Sequence, residues 1–199
     1  MPAEGLRKEL LEMAAEDRRV REELAADGSL FEGYHPRMEA VHRRNAARLV
    51  AIMEEYGWPG CSLVGEDGEE AAWLIAQHAI GDPPLQRRGL ELIRQAAAQG
   101  ETPAWQAAML EDRIRMFEGK PQLYGTQYDW DENGLMSPCP IEDAERVDER
   151  RLAVGLGPLE ENTRRVREGV ARSKEQPPRD CAARQKEMDE WARVVGWRR

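Results

Sequence analysis

The sequence predicts a mainly α protein, a compact bundle of seven or eight helices with one short β-hairpin or irregular extended segment near residues 121–140. Three observations lead there. Apolar residues recur at three- and four-residue spacing along most of the chain, the period of an amphipathic helix. Gly/Pro clusters punctuate those runs at regular intervals, as at Asp27-Gly28-Ser29, Gly57-Trp58-Pro59-Gly60, Gly81-Asp82-Pro83-Pro84 and Gly100-Glu101-Thr102-Pro103. One stretch, Gln122-Leu123-Tyr124-Gly125-Thr126-Gln127, breaks the pattern by being polar with an aromatic and a glycine in its middle.

The first helix is expected from Ala3 to Ala26, with Leu6, Leu10, Met13, Val20 and Leu24 on one stripe. Asp17 lies inside that stripe, and Arg21 follows one turn later, within pairing reach. A second helix is expected over Pro36–Tyr56. Its inner face carries Met38, Val41, Leu49, Ile52 and Tyr56, but also Asn45, with His42 beside it. A buried Asn has to find partners, either another helix or a ligand. The third helix is placed at Glu69–Ile80 and brings Gln77-His78 to its last turn; the fourth follows from Pro83 or Pro84 to Gln99. Thr102 and Pro103 read as N-cap and first residue of a fifth helix reaching Phe117, in which Asp112-Arg113 lies between Met109 and Met116.

After the polar stretch, Asp131-Glu132-Asn133-Gly134 is a turn signal before Leu135-Met136, while Pro138 and Pro140 keep the segment out of a larger sheet. Helices are then expected at Glu142–Val154, Pro158–Ser173 and Asp180–Val195. Residues 1–173 read as a single helical domain holding a polar pocket. Residues 174–199 read as a Pro-bearing linker and a docking helix whose Trp191 and Trp197 could pack inward or form a homodimer.

A net charge of −9 argues against a nucleic-acid footprint, which needs a clustered basic face. No apolar run approaches the ~20 residues of a bilayer span. Charged residues occupy the N-terminal stretch where a signal peptide needs its apolar region, so a cytoplasmic location is expected. Cys61, Cys139 and Cys181 are odd in number, widely spaced and form no Cys-x-x-Cys. Phosphate-loop and dinucleotide fingerprints are absent.

Taken together, Gly57-Trp58-Pro59, Gln77-His78, Asp112-Arg113, the early acid Asp17 and the Gln122–Gln127 stretch resemble an uncharacterised bacterial family described only as a domain of unknown function. Pro140-Ile141, Arg150-Arg151 and Gly155-Leu156 resemble its later half, and the likeness covers about residues 5–168. His42 departs from the pattern, standing where an acid is expected. The resemblance implies no activity, so the residues carry the functional reading.

Asp17, Asn45, His78, Asp112 and Arg113 are polar groups on or beside inward helix faces. An unpaired buried polar group costs about 1–3 kcal/mol, and a charge more. Clustered in one cavity closed by Tyr124–Gln127, they could satisfy one another or a ligand. His78 is the candidate acid/base, because an imidazole titrates near neutrality, with Asp112 or Asp17 orienting it. Arg113 offers a forked clamp for a carboxylate or phosphate. Asn45, Gln77, Tyr124, Thr126 and Gln127 complete the expected substrate contacts, with Gln86 and Gln122 as further amides. The expected ligand is a small polar metabolite, with no cofactor, nucleic acid or membrane involved.

Two other readings stay open. One is a non-catalytic binding or interaction module whose polar network is structural. The other is a metal-dependent hydrolase with donors among His42, His78, Asp17, Asp82 and Asp112, although no His-x-x-x-His or Glu-x-x-His pattern fixes two of them on one face. Cys139, between two prolines, is a weak nucleophile candidate with no histidine tied to it by spacing.

Overall fold

The computed structural model describes residues 3–31, 33–173, 176–178 and 180–199. The expected linker at 174–179 therefore lies partly outside the described residues. The chain is mainly α, with eight α-helices and one two-stranded sheet among the described residues. It divides into two compact units, Met1–Pro103 and Ala104–Arg199.

The first unit contains α1 (Glu4–Ala26), α2 (Pro36–Tyr56), α3 (Cys61–His78) and α4 (Pro83–Ala98). α1 packs most extensively on α3, and α2 touches both. Most of the predicted stripe residues are buried, with Leu10, Leu24, Leu49, Ile52 and Ile93 sealed from solvent and Ile75 joining them. Met13 is half-buried, and Tyr56, expected inward, is exposed because it ends α2. Each sealed side chain contributes about 1.5–3 kcal/mol by leaving water. Outside the core, Arg48 forks onto Glu9 at 2.5 and 2.9 Å and Arg44 meets Glu16 at 2.6 Å, both joining α2 to α1. α2 starts where expected because Pro36 needs no N–H partner in the first turn and the His35 side chain accepts from Arg37 N.

α3 begins eight residues earlier than the sequence suggested, at Cys61 rather than Glu69. Gly65, at φ 74°, breaks the helical path inside it, so the first turn and the main run are two pieces across a kink. The expected start at Glu69 falls just after the two glycines of Gly65-Glu66-Asp67-Gly68. α5 starts at Ala104, one residue after the Pro103 expected to open it, and the Thr102 hydroxyl donates to Glu69. The indole N–H of Trp58 reaches the same carboxylate oxygen at 3.2 Å, so the Gly-Trp-Pro turn is anchored to a buried acid.

The second unit contains α5 (Ala104–Phe117), β1 (Tyr128–Trp130), β2 (Met136–Pro138), α6 (Val147–Ala153), α7 (Leu159–Ser173) and α8 (Cys181–Val194). β1 and β2 pair antiparallel, with Tyr128 opposite Pro138 and Trp130 opposite Met136. Asp131 holds the intervening turn by accepting from Asn133 N, Leu135 N and Ser137 Oγ. The expected helix at Glu142–Val154 is a 3₁₀ turn, Ala144–Arg146, leading into the shorter α6. Asp143 precedes it at φ 47°, a backbone state that excludes a helix start there. Asp180 caps α8 by accepting from Ala183 N. Trp191 and Trp197 dock within the chain, with ring centroids 5.5 and 5.3 Å from that of Phe117.

Candidate functional site

In the first unit the side chains to follow are Asp17, His42, His78 and Tyr34. Asp17 occupies the buried stripe of α1 between Ala14 and Val20 and is 1% exposed. His42 shares the buried side of α2 with its neighbour Val41 and with Met38 and Asn45, each about one turn away along the helix. His78 is the last residue of α3, and its side chain keeps 21% exposure. The Gln86 amide fixes that helix end by donating to the carbonyls of Ala76 and Gln77 at 2.8 and 3.0 Å.

Asp17 bridges the two imidazoles. Its Oδ1 lies 2.8 Å from His78 Nδ1. Its Oδ2 lies 3.2 Å from His42 Nε2, yet neither of those two atoms has a hydrogen-bond partner. The other nitrogen of His42, Nδ1, is 2.8 Å from the Tyr34 hydroxyl. The His42 ring stacks on Tyr34 and tilts toward His78, with centroids 5.7 and 5.3 Å apart. Burial alone would raise the Asp17 carboxyl, but His42 and His78 outweigh it and hold the group well below the ordinary carboxylate range. Burial pushes the Tyr34 phenol upward. The expected partner Arg21 is exposed, and Asp17 faces the two histidines instead. Asn45 ties α2 to α1 by donating to Met13 O at 3.2 Å. Gln77 is buried next to His78.

In the second unit Asp112 is fully buried on α5 and gathers the polar stretch around itself. It accepts from Leu123 N at 2.7 Å, Tyr124 N at 3.0 Å, Thr126 N at 3.0 Å and Thr126 Oγ1 at 2.9 Å. Burial raises its pKa, and these donors pull the other way without fully offsetting it. Arg113 Nε reaches Gln127 Oε1 at 3.3 Å. Gln127 Nε2 turns back to Thr126 Oγ1 at 3.1 Å. Gln122 ties both ends of the loop by donating to Gln127 O and Cys139 O and accepting from Gln127 N. Arg150 and Arg151 hold its outer carbonyls, those of Leu123 and Tyr124, both with side chains from α6. Gly125 has φ 66°, and a Cβ there would stand 2.6 Å from Leu159 Cδ1.

The structure thus brings Asp17 to His78 and Asp112 to Tyr124 and Thr126. Sequence reading noted His42 beside Asn45, as a departure from the family pattern and as one of five possible metal donors, but did not place it with Asp17 and His78 in the catalytic set. Its three- and four-residue offsets from Asn45 and Met38 were the available signal for an inward ring. Tyr34, Glu69 and the clamping role of Arg150 and Arg151 had no local signature.

A model of a family of unknown function, DUF6624, matches residues 4–172. The chain belongs to DUF6624. Comparison with curated proteins and with solved structures returned no match. The DUF6624 match spans both polar centres, the Asp17 cluster and the Asp112 loop. No helix among the described residues is long and apolar enough to cross a membrane.

Proposed function

We propose that the chain is an enzyme that moves protons on a small polar or carboxylate-bearing metabolite, with His78 as the acid/base and Asp17 as its orienting partner. The observation that carries this reading is the 2.8 Å contact between His78 Nδ1 and a sealed Asp17, while the imidazole itself keeps access to solvent. A carboxylate accepting the Nδ1 proton fixes the tautomer in which Nε2 holds the lone pair, and it stabilises the imidazolium that forms when that lone pair takes a proton. Asn45 and Gln77 lie on the same two helices as the histidines and are the nearest amides in sequence for substrate recognition. Asp112, the other orienting candidate, has its carboxylate engaged by its own loop, which favours Asp17 for the role.

A second reading, a non-catalytic binding module, is favoured by the extent to which Asp112, Thr126 and Gln127 satisfy one another. The two are separated by incubating purified protein with a panel of amino-acid derivatives and small carboxylates and following consumption by mass spectrometry. The enzyme reading expects turnover of a panel member that falls at least about 100-fold in His78→Ala, the usual scale of a lost general acid or base, with the fold retained. Turnover within twofold of the parent in that variant, or a folded parent inert across the panel, removes it in favour of the binding module.

A further inference from the structure

We infer that Asp17, His42 and His78 form a binding site for one divalent transition-metal ion of the zinc class. Each of the three offers a ligand atom, and these atoms lie within 4.8 Å of one another. They come from α1, α2 and α3, so no short sequence motif announces them. Two imidazoles and one carboxylate are a donor set suited to zinc, and three protein ligands leave a fourth position for water or a ligand.

The geometry between Asp17 and His42 is the decisive feature. Asp17 Oδ2 and His42 Nε2 are both buried, 3.2 Å apart, and without a hydrogen-bond partner. Two ligand atoms held about 2.0–2.1 Å from a tetrahedral zinc stand roughly 3.3 Å from each other, each off the other's lone-pair axis. The observed pair has that separation and lacks the alignment of a hydrogen bond. Two buried polar atoms in contact without a formed hydrogen bond carry a desolvation cost that a bound cation removes.

The surroundings have the form of an outer shell. The Tyr34 hydroxyl lies 2.8 Å from His42 Nδ1, and in the tautomer that carries its proton on Nδ1 the His42 lone pair sits on Nε2, facing Asp17. Such a partner on the distal nitrogen is what fixes a ligating histidine. Helix α3 ends at His78, whose partial exposure gives an entry path.

Metal and proton compete here. A neutral imidazole has one in-plane lone pair, so an ion bound to either nitrogen of His78 takes the electrons that its base role requires. The site therefore goes beyond the proposed acid/base chemistry, and occupancy would silence it.

The test is titration of the purified full chain with cobalt(II) and zinc(II). Cobalt is followed by its visible spectrum and zinc by competition with a chromophoric chelator. One ion per chain is expected, with the weak d–d bands of a nitrogen/oxygen tetrahedral site and no thiolate charge-transfer band. His42→Ala should weaken zinc binding at least tenfold, and His42→Gln serves as well if Ala disturbs packing. Tyr34→Phe should weaken it by about 10–100-fold, the range for outer-shell partners. His35→Ala, altering a half-buried side chain outside the cluster, should leave it unchanged. Absence of binding, a thiolate band, or equal affinity in folded His42 variants overturns the site. Metal binding with no turnover by the metal-free protein would leave the site standing and remove the acid/base reading, and turnover by a protein that binds no metal would do the reverse.

Discussion

Asp112 and Asp17 are both carboxylates buried on the inner face of a helix, and their surroundings differ in kind. Asp112 meets three backbone N–H groups and a hydroxyl, donors that belong to one loop and are held in place by covalent connectivity. Asp17 meets two histidines from two other helices, one of which is close without being bonded. The first arrangement is saturated and leaves little for a ligand to gain. The second keeps an oxygen and a nitrogen open inside the protein, which is how sites that do chemistry differ from sites that hold a fold. The comparison teaches that burial of an acid does not by itself mark function, whereas the identity and completeness of its partners do.

The largest effect that could break this contrast is on Asp112. Asp112→Ala orphans several buried donors at once, and a stability loss of about 3–5 kcal/mol in urea unfolding is expected. A loss below 1 kcal/mol would mean that the loop does not depend on the carboxylate. Gly125→Ala attacks the same loop from its backbone, where positive φ and the Leu159 contact both oppose a side chain. A cost of about 1–3 kcal/mol is expected from the same measurement, and a neutral result would show that Leu159 moves aside freely.

His42→Leu tests the other side. It removes an unsatisfied buried nitrogen, but also the ring nitrogen bonded to the Tyr34 hydroxyl and one charge partner of Asp17, so unfolding free energy should fall by about 1–3 kcal/mol. A loss above 3 kcal/mol would make the cluster a structural network like that of Asp112. Asn45→Ala, which gives up one interhelical hydrogen bond, should cost about 1 kcal/mol and mark the scale of an ordinary tie.

The two centres were not equally legible in the sequence. Helix α2 could be bounded to the residue because Pro36 and Gly57 signal both ends locally, whereas the first turn of α3 was hidden by Gly65 and Gly68. Asp17 stood out as a polar residue on an apolar stripe. His78 stood out too, with Asp17 or Asp112 as its partner, but which acid it meets and that His42 joins them did not, because those pairings span 61 and 25 positions and depend on how three helices turn about their axes. The Gln122–Gln127 stretch was recognisable as backbone needed for something. That its N–H groups converge on Asp112 follows from a turn that no single residue type encodes.

The smallest effect concerns Cys139, which sits against the Asp112 loop with its N–H on Gln127 O at 2.9 Å and its carbonyl on Gln122 Nε2. Burial pushes its thiol up to about 11. The thiolate is the reactive form, so alkylation should be slow at pH 8 and rise about tenfold per pH unit until the pH nears that value. Exposed Cys181 should be labelled first. Iodoacetamide labelling followed by peptide mass spectrometry measures both. If the loop is as tightly held as its hydrogen bonds indicate, Asp112→Ala should accelerate Cys139 labelling at pH 8 while leaving Cys181 unchanged. Equal rates at Cys139 and Cys181 in the parent chain would show that the loop opens on its own, and the saturated half of the comparison would lose its rigidity.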